Sequence, residues 1–128
     1  MIVKELDNGY WRFSVQEDAP ACVWLRDIGA GFALIGSVPE RYATELWVTL
    51  VPFTKARPLL YLICPGARND VSFVRAITER CPEICVIAGK AVLFTLDSLG
   101  IRSARTIEIR ADRTLTLGSA TFCFHMSV

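Results

Sequence analysis

The sequence predicts an α/β fold: one domain, residues 1–128, with a mixed β-sheet and helices on one face. Two runs, 59–63 and 84–87, are apolar at every position, which is typical of inner strands that are covered on both sides. Three segments with the apolar period of a helix lie before, between and after these runs. At 128 residues the chain is long enough for one core and too short for two.

The N-terminal part of the chain predicts an antiparallel meander. Runs 10–15, 21–26 and 32–36 have strand character, and polar or glycine-containing turns separate them. Residues 1–5 are placed to pair with the first of these strands as a hairpin. We therefore expect this part of the chain to form neighbouring antiparallel strands.

The first predicted helix follows Ser37. Ser37 is a suitable N-cap, and Pro39 fits the first turn because its missing N–H is not needed there. Pro52 is expected to end the helix. Between them, one apolar stripe at helical spacing consists of Ala43, Leu46, Trp47, Leu50 and Val51.

Two more helices and three short strands complete the predicted order. The second helix, 71–81, is capped by Asn69 or Asp70 and closed by Pro82, and the third, 90–99, ends at Gly100. Runs 105–110, 114–117 and 120–126 then have strand character. The predicted order is β-β-β, α, β, α, β, α, β-β-β.

Composition limits the partners that this chain can have. The formal charge is +1, and a nucleic-acid surface would need a denser cluster of basic residues with interleaved aromatics than this sequence has. The hydrophobic fraction of 52% and mean hydropathy of +0.38 are high for one domain and suggest self-association or a partner. No apolar run approaches the ~20 residues of a membrane span, and the first residues lack a signal-peptide core. We expect a cytoplasmic protein that binds neither nucleic acid nor membrane.

The five cysteines predict buried thiols and no metal or disulfide framework. Most of them lie inside apolar runs, as free thiols do in a reducing compartment. Cys81 and Cys85 have a C-x3-C spacing, but no second pair and no nearby histidine completes a zinc site. The full set is Cys22, Cys64, Cys81, Cys85 and Cys123.

Several short motifs resemble the N-terminal half of the metallo-β-lactamase fold, in particular the diiron domain of flavodiiron proteins. They are residues 3–6 before 9–11, the turn at 35–37, and the strand at 60–63 with its following loop. The pieces 79–83, 90–91, 99–101 and 112–118 occur in that family in the same order and at similar spacing. The resemblance implies half of an αββα sandwich and covers almost the whole chain.

The same resemblance implies that the metal-ligand motif is lost. The family carries a His-x-Glu-x-Asp-His signature directly after this strand, and the matching positions here are Pro65, Ala67, Asn69 and Asp70. Asp70 alone offers a possible ligand, and its position favours a helix cap. His125, the single histidine, matches no ligand position of the family. We therefore expect no metal and no cofactor.

The resemblance to one half of a fold also predicts a partner. In the complete fold two mixed sheets face each other with helices outside, so one half alone leaves a sheet face bare. A second copy around a two-fold axis is the simplest cover. We expect a homodimer through this open sheet face, with a different protein as the alternative partner.

The sequence thus predicts a non-catalytic, metal-free domain that acts as a self-associating structural or binding module. The alternative is a redox or hydrolytic enzyme remnant that uses a candidate binding loop. In that loop Cys64 is the best candidate for chemistry, because a nearby helix N-terminus would stabilise its thiolate. A third possibility is a small anion held by backbone 65–67 and Arg68. The candidate loop comprises Cys64, Gly66, Arg68, Asn69 and Asp70.

Overall fold

A computed structural model describes residues 1–15, 21–65, 71–101, 105–110 and 113–124. Within these ranges, seven strands form one sheet in sequence order, and two further strands form a separate hairpin. The sheet contains β1 (Ile2–Leu6), β2 (Tyr10–Ser14), β3 (Cys22–Asp27), β4 (Phe32–Gly36), β5 (Leu59–Cys64), β6 (Cys85–Ala88) and β7 (Arg105–Glu108). The hairpin contains β8 (Thr114–Leu117) and β9 (Ala120–Cys123).

In the described part of the chain, three α-helices connect the strands from β4 onward: α1 (Ala43–Ala56), α2 (Val71–Arg80) and α3 (Lys90–Ser98). Short 3-10 turns span Asp7–Gly9 and Glu40–Tyr42. None of the described helices combines the length and the apolar character needed to cross a membrane.

The sheet is mixed, which confirms the predicted fold class. Neighbouring strands from β1 to β4 are antiparallel, whereas β4 to β7 are parallel neighbours. Parallel neighbours need a crossover, and each crossover contains one helix. Side chains from all three helices pack into a single core on one face of the sheet. This core includes Phe13, Leu25, Leu34, Leu46, Leu50, Leu62, Phe73, Ile77, Val86 and Leu96.

The expected end of the first helix at Pro52 is wrong, because α1 continues to Ala56. Proline removes one helical hydrogen bond and costs about 3 kcal/mol in a helix interior. The next residue, Phe53, makes edge-to-face contacts with Trp11, Phe13 and Phe32 at centroid distances of 5.2, 5.6 and 6.1 Å. Each contact contributes about 0.5–1.5 kcal/mol beyond its burial, so together they offset the cost of the proline.

The expected start of that helix is also wrong. Pro39 has an extended conformation, with ψ of 142°, and helical structure begins only at Glu40. The preceding Val38 is fully buried in the helix-side core. No side-chain capping bond is present, so Ser37 is not the N-cap.

The second face of the sheet is partly covered by the β8–β9 hairpin, so the expectation that it lies wholly open is wrong. Leu117 and Ala120 of the hairpin pack with Ile28, Ala33, Ile63, Cys85 and Ile87 in a second buried cluster. The amide of Ser119 donates to the carbonyl oxygen of Ile28 over 2.9 Å. The two hairpin strands pair with each other and lie on the sheet over β4, β5 and β6.

The remaining part of that face, over β1, β2 and β3, has no described element packed on it. We call it the uncovered surface. Two directly opposed pairs are stacked: Arg26 lies over the Tyr10 ring at 4.6 Å, and Arg12 lies over the Trp24 ring at 5.9 Å. The surface is therefore amphipathic and not uniformly apolar. Ser14 on this face is buried, and the tyrosine, tryptophan and arginine side chains are half-buried. From the strand register the surface consists of Ile2, Lys4, Leu6, Tyr10, Arg12, Ser14, Cys22, Trp24 and Arg26.

Candidate functional site

The candidate binding loop follows the last residue of β5, Cys64. Pro65 is exposed, and α2 begins at Val71. Gly66, Arg68, Asn69 and Asp70 lie outside the described residues. The structure therefore places one of the five predicted site residues, and both the loop hypothesis and the anion hypothesis stay predictions.

Cys64 lies in the helix-side core and is fully buried. The fixed alternation of side chains along β5 directs it, together with Leu62, toward the helices. Burial raises the pKa of the Cys64 thiol to about 12. Loss of solvation disfavours the thiolate, so this cysteine is a neutral thiol near pH 7.

The C-x3-C spacing does not produce a cysteine pair. Cys81 packs against the helix-side core and its Sγ contacts the carbonyl oxygen of Leu59 at 3.6 Å. Cys85 belongs to the buried cluster on the other face of the sheet. Burial is the main cause of a raised pKa in both thiols. Cys81 is half-buried and Cys85 is buried, and the two thiols lie on opposite faces of the sheet.

The described residues offer no set of metal ligands. Nowhere in them do three or more His, Cys, Asp or Glu side chains come together in a way that could hold a metal ion. Pro65 and Ala67, at two of the positions where the resembled family has ligands, carry no donor atoms in their side chains. His125 lies outside the described part of the chain.

An ion pair with two hydrogen bonds lies at the other end of β5. Arg57 donates to both carboxylate oxygens of Asp27 over 2.7 and 2.6 Å, and to the carbonyl oxygen of Gly29 over 2.9 Å. The hydrogen bond from Arg57 is the main cause of a lowered pKa of Asp27. This pair joins the end of β3 to the end of α1, so it stabilises the fold and is separate from the candidate loop.

The comparisons with known proteins find matches among solved structures. No family model matches the chain, and no curated protein sequence matches it. A putative diflavin flavoprotein from Nostoc sp. PCC 7120 superposes with a TM-score of 0.69 at 16% identity, over 91% of this chain and 52% of that one.

Two further solved structures also superpose on most of this chain. A subclass B3 metallo-β-lactamase of Bradyrhizobium japonicum has a TM-score of 0.69 at 11% identity, over 96% of this chain and 50% of its own. A mutant flavo di-iron protein from Thermotoga maritima has a TM-score of 0.67 at 16% identity, over 95% of this chain and 29% of its own.

The chain therefore has a metallo-β-lactamase-like fold, shared with the flavodiiron proteins. It spans about half the length of the first two structures and less than a third of the third. At this level of identity the similarity defines the fold, and function has to be argued from the residues of this chain.

Proposed function

We propose that this chain is a non-catalytic, metal-free metallo-β-lactamase-like domain that acts as a self-associating structural or binding module. The observation that carries the proposal is the chemistry at the carboxyl end of β5. Of the residues there, Cys64 is a buried neutral thiol, and Pro65 and Ala67 have no side-chain donor. A metal site of this fold needs several ligands together, and those positions do not supply them.

The alternative enzyme hypothesis depends on an accessible, ionisable Cys64. A nucleophilic thiolate requires partial exposure and a lowered pKa, whereas burial here raises the pKa to about 12. In the native chain we expect iodoacetamide to label the exposed Cys123 rapidly and Cys64 only after unfolding. Cys123 is the internal control, and its labelling can be followed by peptide mass spectrometry. Labelling of native Cys64 at the rate of Cys123 would favour the enzyme hypothesis.

The uncovered surface is the contact region that we propose for self-association. Its centre combines Trp24, Tyr10 and two arginines, the residue types that dominate binding energy at protein interfaces. The hairpin already covers the apolar centre of the face, so the partner's contact is expected over β1, β2 and β3. This region is more polar than the bare apolar sheet that the sequence predicts.

Because this surface is positively charged, the effect of salt on binding distinguishes self-association from the binding of a different protein. Lys4, Arg12 and Arg26 share the surface, so two copies meeting there bring like charges together. Salt screens this repulsion, and the homodimer should tighten as salt increases. A complex with a carboxylate-bearing protein would weaken instead.

The experiment is the mass in solution of the full chain, measured by sedimentation at low and high salt. We expect a dimer that Trp24→Ala dissociates, while Phe94→Ala leaves it intact. Phe94 is a matched control because it is 72% exposed and lies on α3, on the opposite side of the sheet. A monomer at every concentration and salt would overturn self-association.

A further inference from the structure

A cavity of about 190 Å³ lies between the carboxyl ends of β6 and β7 and the β8–β9 hairpin. Its walls come from the ends of those strands and from the segment that leads into and out of the hairpin. Ile109 donates its amide hydrogen to the carbonyl oxygen of Ala88 over 2.8 Å, and Phe124 donates to that of Arg113 over 3.3 Å. These two bonds fix Ile109 to the end of β6 and Phe124 to Arg113. We call this space the β7–β8 cavity.

The interior of the β7–β8 cavity is apolar. Ile87, which is fully buried, lines it together with Ile107, Leu115 and Phe124. An apolar cavity of about 150 Å³ in another protein admits benzene. The β7–β8 cavity therefore has room for a phenyl ring or a short alkyl chain, which its walls would remove from water.

The mouth of the cavity is cationic among the described residues. Arg110 and Arg113 both line it and are exposed. The charge of Arg110 is offset, because its Nε lies 3.3 Å from Oε2 of Glu108. Arg113 forms no side-chain hydrogen bond or ion pair within the described part of the chain. Its guanidinium is available at the edge of an apolar space.

We propose that the β7–β8 cavity binds a small monocarboxylate with an apolar body. The planar guanidinium of Arg113 presents two parallel N–H donors that match a carboxylate. The apolar body of the ligand then lies against Ile107, Leu115 and Phe124. The position agrees with the rule that ligands of α/β sheets bind outside the carboxyl ends of the strands. The inference is independent of self-association and of the proposed loss of metal ligands.

Benzoate is the test ligand, and benzamide is its uncharged counterpart of the same size. In calorimetric titrations of the full chain, we expect saturable one-to-one binding of benzoate. Arg113→Gln should weaken it roughly tenfold or more, the range of a charge-assisted hydrogen-bonded pair. Arg75→Gln removes the same charge from the exposed face of α2 and should leave the affinity unchanged. Benzamide should bind more weakly than benzoate, and equally to the wild type and Arg113→Gln.

A second measurement does not depend on any variant. Benzoate should shift the amide resonances of Ile107, Leu115 and Phe124 in the wild-type chain, and leave those of α2 in place. Three results would overturn the proposal: no saturable binding, equal affinity of Arg113→Gln, or resonance shifts confined to other regions. The solution mass of the chain should be the same with and without benzoate. Absence of benzoate binding would therefore leave the proposed self-association unaffected.

Discussion

Replacing Gly118 with alanine should release the β8–β9 hairpin from the sheet. Gly118 lies in the turn of the hairpin with a φ of +57°. A Cβ at this position would overlap the carbonyl oxygen of Ile28. The hairpin would have to move by roughly 1 Å to relieve the overlap. That movement breaks the 2.9 Å hydrogen bond from Ser119 to Ile28.

The structure gives the size of this effect. A left-handed backbone costs alanine about 1 kcal/mol relative to glycine. Loss of the Ser119 hydrogen bond costs about 1 kcal/mol more. Leu117 and Ala120 are each only 4% exposed, and partial loss of their burial adds about 1–2 kcal/mol. The free energy of unfolding should therefore fall by about 3–4 kcal/mol.

Gly100→Ala provides the matched control. Gly100 has a φ of +70°, but nothing lies within 4 Å of a Cβ built there. This variant has the same backbone strain without the overlap, so it should lose only about 1 kcal/mol. Urea unfolding of both variants measures the difference, and hydrogen exchange at Leu117 and Ser119 shows whether the hairpin has opened. Equal destabilisation of the two variants, with unchanged exchange, would refute the reasoning.

Three further predictions concern the helix-side core and the ion pair. Leu50→Ala should lower the free energy of unfolding by about 2–5 kcal/mol because Leu50 is fully buried. Its control is Val48→Ala, at a 65% exposed position of the same helix, which should change the free energy of unfolding by less than about 0.5 kcal/mol. Thermal unfolding of Leu50→Ala and Val48→Ala measures this difference in stability. Pro52→Ala should raise stability by about 1–2 kcal/mol, since it restores a helical hydrogen bond at an exposed site, and a decrease in the melting temperature would contradict this. The lowered pKa of Asp27 stabilises the fold fully above the ordinary carboxyl value of 3.8, and this contribution is lost as the pH falls below that value through the lowered pKa. In acid unfolding, Asp27→Asn should not show this loss of stability. The same dependence of stability on pH in the variant and the wild type would exclude a role for the pair of Arg57 and Asp27.

Local sequence patterns predict the elements of this fold well and their tertiary contacts poorly. The continuous apolar run of β5 predicts an inner strand, and the apolar stripe of α2 predicts a helix with one face toward the core. Both elements therefore follow from the sequence. The end of α1 does not, because three aromatic contacts of Phe53 outweigh the local effect of Pro52. Residues from distant parts of the chain make those contacts, and no local pattern contains them.

Tertiary contacts also limit what the sequence predicts about the candidate loop and the β7–β8 cavity. The position of Cys64 at the end of β5 follows from the sequence, but the thiolate hypothesis considers only the nearby helix terminus. Complete burial dominates and raises the pKa. The β7–β8 cavity was not predicted at all, because it joins Ile87, Ile107 and Phe124 from three separate segments. Pairing of β6 with β7 places Ile87 beside Ile107, and docking of the hairpin adds Phe124.

Metal content is the most direct test of the central proposal, that this chain is metal-free. The full chain would be incubated with Fe(II) and, separately, with Zn(II), passed through a desalting column and analysed for bound metal per chain by mass spectrometry. The proposed function predicts substoichiometric metal, unchanged by Asp70→Asn. One or two ions retained per chain, and lost in Asp70→Asn, would show that the loop after β5 still supports a metal site.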